Sequence, residues 1–163
     1  MLKSSPLIVV MIVAIGGSVG CDASARRARK MAEHDYEQLS GTWRLTRAVV
    51  DGRPVPEKEM QSTILITDGD TFRFPEASGV ATHPAGTFRI NPAANPKQVD
   101  SVAQGGSNAG QITLGIYEII DTNHKRACWG SPGGPRPTKF ESLPGSKRTL
   151  QYWEKIGPVP SPR

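Results

Sequence analysis

The chain is poor in cysteine. Of its 163 residues only Cys21 and Cys128 carry thiols, which excludes a small scaffold stapled by disulfides. Long apolar runs are lacking too. The longest, Leu7–Ile15, is too short to span a bilayer, so a polytopic membrane protein is excluded, and nothing in the composition suggests a coiled coil. No repeat of fixed period and no second zone of composition marks a further domain. Signatures of familiar chemistry are missing: there is no G-x-S-x-G elbow, no P-loop and no H-E-x-x-H pair. His34, His83 and His124 are far apart and lack ligand spacing, so no metal is expected. Asp68 and Asp70 resemble a calcium fragment, but no full calcium loop follows and they read as a turn. Gly105-Gly106 and Gly133-Gly134 open no helix and make poor phosphate cradles. His124 precedes Cys128 by four residues, about 13 Å along a strand, so the thiol reads as a small buried hydrophobe and not a nucleophile. No catalytic residue and no cofactor is expected, and an enzyme is the third choice among function classes.

Charge of one sign is also missing from the body. The formal net charge is +5, but Lys3, Arg26, Arg27, Arg29 and Lys30 all precede Met31, and from there on 15 cations meet 14 acids. A nearly neutral body lacks the clustered cations that nucleic-acid binding requires, so no nucleic acid is expected.

The N-terminus is what the sequence does have. One cation, Lys3, precedes the apolar run Leu7–Ile15, and Gly16-Gly-Ser-Val-Gly-Cys21 follows. A short apolar core ending in small residues reads as an export signal over 1–20. Val19-Gly20-Cys21 resembles the bacterial lipobox, although Ser18 stands where that motif usually has Leu. The resemblance implies cleavage before Cys21 and a lipid on its thiol. Residues 21–30 then form a flexible tether whose cations rest on anionic headgroups, and the protein is anchored in the cell envelope on the periplasmic or surface side. The alternatives are an ordinary secretory signal, with Cys21 incidental, and an uncleaved N-terminal anchor, which the shortness of the run disfavours.

The body, 31–156, reads as short strands joined by turns. The 17 glycines and 14 prolines favour that pattern. Met31–Leu39 is a short helix ended by Ser40-Gly41. Thr42–Val50 follows, with Trp43, Leu45 and Val49 on one face and Arg47 spoiling the alternation. Pro54–Met60 holds a helical turn. Ser62–Thr67 and Thr71–Phe74 form a hairpin across Asp68-Gly69-Asp70. Further strands are expected at Gly86–Asn91, Gln98–Val102, Gln111–Ile120, His124–Trp129, Thr138–Glu141 and Thr149–Glu154. Residues 157–163 form a loose, Pro-rich tail. An antiparallel meander of about eight strands with no crossover helix must hide its edges by closing into a barrel or folding into a sandwich.

Gly41-Thr-Trp43 after a short helix resembles the GxW element of lipocalin-like barrels. A linked set accompanies it: Leu39-Ser-Gly-Thr-Trp43, Asp51-Gly52 with Pro54 and Pro56, Gly69-Asp70-Thr-Phe72, Gly86-Thr-Phe88, Pro96-x-x-Val-Asp100, Gly115-Ile-Tyr117, Cys128 and Arg136-Pro-x-x-Phe140. This set, over Leu39–Glu154, is similar to a family of small exported proteins of unknown function, abundant in planctomycete bacteria. The resemblance implies an all-β, antiparallel lipocalin-like barrel with a short N-terminal helix and an envelope address, and it brings no activity. It further implies that Trp43 plugs the closed end beneath an arginine, Arg136 or Arg148. Gly115, within its strand, marks a bulge or close packing that wants no side chain. Phe72, Phe74, Phe88, Ile90, Ile116 and Tyr117 line or fill the interior. A small, partly apolar ligand is expected inside. The alternative is a filled barrel that meets an envelope partner through loops 103–110 and 130–137.

Overall fold

The computed structural model describes residues 19–75, 85–106 and 108–161; the apolar run Leu7–Ile15 and His83 lie outside them. Helix α1 (Val19–Leu39) leads into β1 (Gly41–Val50). A two-residue strand, β2 (Arg53–Pro54), and a short helix, α2 (Glu57–Gln61), precede β3 (Ile64–Asp68) and β4 (Thr71–Arg73). The remaining strands are β5 (Ala85–Asn91), β6 (Gln98–Ala103), β7 (Ile112–Ile119), β8 (His124–Trp129) and β9 (Thr149–Gly157).

Every neighbouring pair from β3 to β9 is antiparallel, β3 also pairs with β1, and β9 pairs with β1. The ring is a closed, eight-stranded antiparallel barrel, with β2 an appendage on the far end of β1. Closure leaves no long unpaired edge, which is how a meander of this size avoids intermolecular pairing. The expected strands and hairpins are present with one exception. Thr138–Glu141 forms no strand and belongs to an irregular strap, residues 130–148, across the outside of the barrel.

Two local departures have clear causes. Residues 21–30, read from sequence as a flexible tether, are part of α1. The stretch has no Gly or Pro and is rich in Ala, Arg and Lys, all good helix formers. Arg29 and Glu33 pair across one turn at 2.9 Å. The misplaced Arg47 is explained by a shift of register between β1 and β9 at Leu45/Arg47. The bulge accommodates an extra residue, so Trp43, Leu45 and Ala48 face inward, Arg47 is exposed and Val49 turns outward. Val49 therefore leaves the face it was expected to share with Trp43.

The strands are buried on both faces over part of the ring. Inside, one cluster gathers Leu39, Phe88, Val99 and Tyr117, and a second gathers Trp43, Leu45, Ala48 and Trp153. Outside, Ile116, Cys128 and Leu150 form a third, roofed by Phe140 of the strap. Arg136 fastens the strap by donating to the carbonyls of Val99 (3.0 Å) and Gly115 (2.7 Å) and by pairing with Asp100. Cys128 is fully buried there. Its thiol donates to Glu141 O at 3.4 Å, and burial raises its pKa, opposite to what a nucleophilic thiol needs.

Candidate functional site: a floored cavity in the barrel

The two ends of the barrel differ. The C-terminus of α1, the hairpin at Gly69 and the turns before β6 and β8 meet at one end, the floor. The first residues of β3, β5, β7 and β9 lie at the other, the mouth.

α1 closes the floor through its own last carbonyls, which no helix can satisfy internally. Trp43 Nε1 donates to Leu39 O at 2.8 Å, Thr67 Oγ1 donates to the same oxygen, and Lys155 Nζ donates to Gln38 O at 2.9 Å. A cation at that position also meets the negative end of the helix dipole. Asp35, 4% exposed, accepts from Tyr117 Oη at 2.6 Å and from Lys97 Nζ at 2.7 Å, tying the helix to β7 and to the residue before β6. Burial and the neighbouring Asp35 carboxylate push the Tyr117 hydroxyl well above its ordinary pKa, so it remains a donor.

Above this floor lies a cavity of about 570 Å³. That volume is within the usual range for small-ligand pockets. Phe72, Phe74, Phe88, Tyr117 and Trp153 form much of its wall, and Val50, Asn108, Pro132 and Thr149 stand at its mouth. Both Gly/Pro-rich loops, 103–110 and 130–137, thus border the opening. Two glycines make room for the wall. Gly86 faces Phe72 across β4–β5, and a Cβ there would lie 2.6 Å from that ring. Gly115 faces Trp129 across β7–β8, and a Cβ there would lie 2.6 Å from the indole. Close packing is the reason for Gly115, as its place within a strand suggests.

Of the residues expected to line the interior, Phe72, Phe74 and Phe88 do so, and Tyr117 joins them. Ile90 packs beside the Leu39–Phe88 cluster and is not part of the cavity wall. Ile116 is a correction: it faces outward, 1% exposed, in the cluster under the strap. Adjacent strand residues point to opposite faces, so Ile116 and Tyr117 cannot both line the interior. The expected arginine over Trp43 is a second correction. Arg136 is held on the outer surface and Arg148 lies 3.9 Å from Glu141. The cations over the indole are Lys125 and Lys155, with Nζ 4.0 and 4.8 Å from the ring centroid. Trp43 itself is 1% exposed at the floor, the plugging position expected of it. Phe140 takes Arg126 over its ring at 4.2 Å. Gly41 has φ +143 and begins β1 against Gly157 O, a conformation and a contact that suit glycine.

Lys125 is the residue sequence reasoning missed. It is 7% exposed, lines the cavity at its floor, and has the Trp43 face as its closest partner. Burial pushes its pKa well below the ordinary lysine value, and neighbouring Lys155 adds to the shift. Its parity with Ala127 and Trp129 was the available signal, but His124, Arg126 and Cys128 alternate just as well. Both faces of β8 are covered, so polarity did not choose between them. Of the histidines, His34 contacts Gln38 and His124 contacts Asp121, both at the surface. Among the described residues no cluster of metal-ligating groups occurs and no helix is long and apolar enough to cross a membrane. Cys21 lies in the first turns of α1. Compared with known proteins, the chain matches no family model, no curated protein and no solved structure.

Proposed function

We propose that this chain is an exported lipoprotein of the cell envelope, anchored through Cys21, whose barrel binds a small, partly apolar ligand. The observation that carries the binding half is the cavity: about 570 Å³ behind an aromatic wall, floored at one end and bordered by loops at the other. A barrel built as a solid scaffold fills its interior with side chains. Here glycines at 86 and 115 hold aromatic rings back against the wall. The anchoring half is supported by the apolar run and the Val19-Gly20-Cys21 triplet, and the resemblance to small exported planctomycete proteins points to the same address.

Binding is tested with the protein isolated from the cells that make it and stripped of lipid. N-phenyl-1-naphthylamine, a neutral fluorophore, is expected to bind one per barrel and brighten; the absence of any saturable signal would overturn the container reading. Anchoring is tested by Cys21→Ser, expected to move the protein from the membrane to the soluble fraction with its melting curve unchanged. Retention in the membrane would refute the lipoprotein reading.

A further inference from the structure

We infer that the ligand of this cavity is an amphiphile with one negative head group, seated head-down on Lys125 with its tail toward the mouth. This rests on the container reading above and adds the chemistry of the head.

Charge is unbalanced at the floor. Lys125 is 7% exposed, on a wall that is otherwise mostly apolar, and no ion-pair or hydrogen-bond partner of its Nζ occurs among the described residues. The charged and titratable groups around it do not supply one. Lys155, from β9, is a second cation, 4.8 Å from the same indole, and already donates to Gln38 O. Asp35, the acid of α1 at this end of the barrel, has its carboxylate engaged by Tyr117 and Lys97. Thr67 Oγ1 is spent on Leu39 O. The Trp43 face is left, and a ring face attracts an ammonium but gives it no lone pair for a full hydrogen bond.

The Nζ of Lys125 opens onto the cavity and is not sealed in the wall, and a ligand oxygen that reaches it there supplies the acceptor that no described protein group does. A neutral head supplies a weaker acceptor than an anion does, because a charge-assisted bond in a water-poor site is the stronger kind. A cationic head would meet two lysines and be rejected. Phe72, Phe74 and Phe88 then offer the tail an aromatic wall above the head.

The experiment compares three molecules with one tail. Decanoate, decanol and decyltrimethylammonium compete with N-phenyl-1-naphthylamine for the lipid-stripped full protein at neutral pH. Decanoate is expected to displace the fluorophore at roughly a tenth of the decanol concentration, with the cation weakest. In Lys125→Met, decanoate is expected to lose that advantage while decanol binds as before or better. Equal displacement by decanoate and decanol in the parent would overturn the inference and leave the container intact, and so would a decanoate preference that survives in Lys125→Met. No fluorophore binding at all would overturn both. The parent comparison stands alone if the variant does not fold.

Discussion

The floor and the mouth of this barrel are built from opposite materials. The floor is over-determined: Trp43, Thr67, Lys155, Tyr117 and Lys97 each hold a particular atom of α1, and all of these bonds but that of Trp43 join residues far apart in the chain. At the mouth, among the described residues, α2 brings Val55 and Met60 against the Trp43–Trp153 cluster and the strap is fastened outside by Arg136 and Phe140, while the loops about Gly106 and Gly133 are built of Gly, Pro and small polar residues. Stability and permissiveness are therefore separated along the barrel axis. One end can be tuned to a ligand without loosening the other, the usual division between a rigid scaffold and its loops.

Four substitutions test that separation, from the largest expected effect to the smallest. Trp43→Ala removes an indole that is 1% exposed, along with a donor to α1, and is expected to cost about 3–5 kcal/mol in urea unfolding. A loss below about 1 kcal/mol would show that the floor does not depend on it. Asp35→Ala leaves the Tyr117 hydroxyl buried without its acceptor and frees α1 on that side, for a loss of about 1–3 kcal/mol by the same measurement.

The third test is pH. Unfolded, Lys125 keeps its proton up to the ordinary lysine value of 10.5; folded, burial and Lys155 make it release the proton at lower pH. Between those two values the unfolded chain binds more protons, so the fold gains stability as pH rises through that window. Lys155, also lowered by burial, adds a slope of the same sign, while Cys128, raised by burial, works against the fold as pH approaches its ordinary value of 9.0, and Tyr117 and Tyr36, both raised, do so above about pH 10. Melting temperatures from about pH 7 to 8.5, below the range in which Cys128 opposes them, are expected to climb in the parent and to climb less in Lys125→Met. Parallel slopes would show that Lys125 is not the group responsible. At the mouth, Asn108→Ala is expected to change stability by less than about 0.5 kcal/mol. A larger loss there would break the contrast between the two ends.

The same contrast explains what could be read from the sequence. Turn chemistry marks the hairpins without ambiguity, so Asp68-Gly69-Asp70 placed the strands on either side of it within two residues. The aromatic wall followed from parity alone for Phe72, Phe74 and Phe88. Parity fails where both faces of a strand are covered. β7 and β8 lie between the cavity and the strap, so Ile116 and Tyr117, or Lys125 and Cys128, give no polar face to orient by. The strap was the hidden variable, and an irregular segment held by one arginine and one phenylalanine has no periodic signature. The bulge in β1 was visible only as a misplaced Arg47. The lysines over Trp43 come from β8 and β9, more than 80 residues away in sequence, and no local pattern could join them to it.

The seam between β1 and β9 bears on the order of events in folding. The first and last strands of the barrel are partners, with Val50 paired to Thr149 and Thr42 to Gly157. The ring therefore cannot close until nearly the whole chain is available, and closing it brings together segments about a hundred residues apart. Contacts of that span are entropically late. Until then β1 and β8 both present open edges, the geometry that invites pairing with another chain. A chain halted before Thr149 would be an unclosed sheet with two such edges, and its expected fate is association with its own kind.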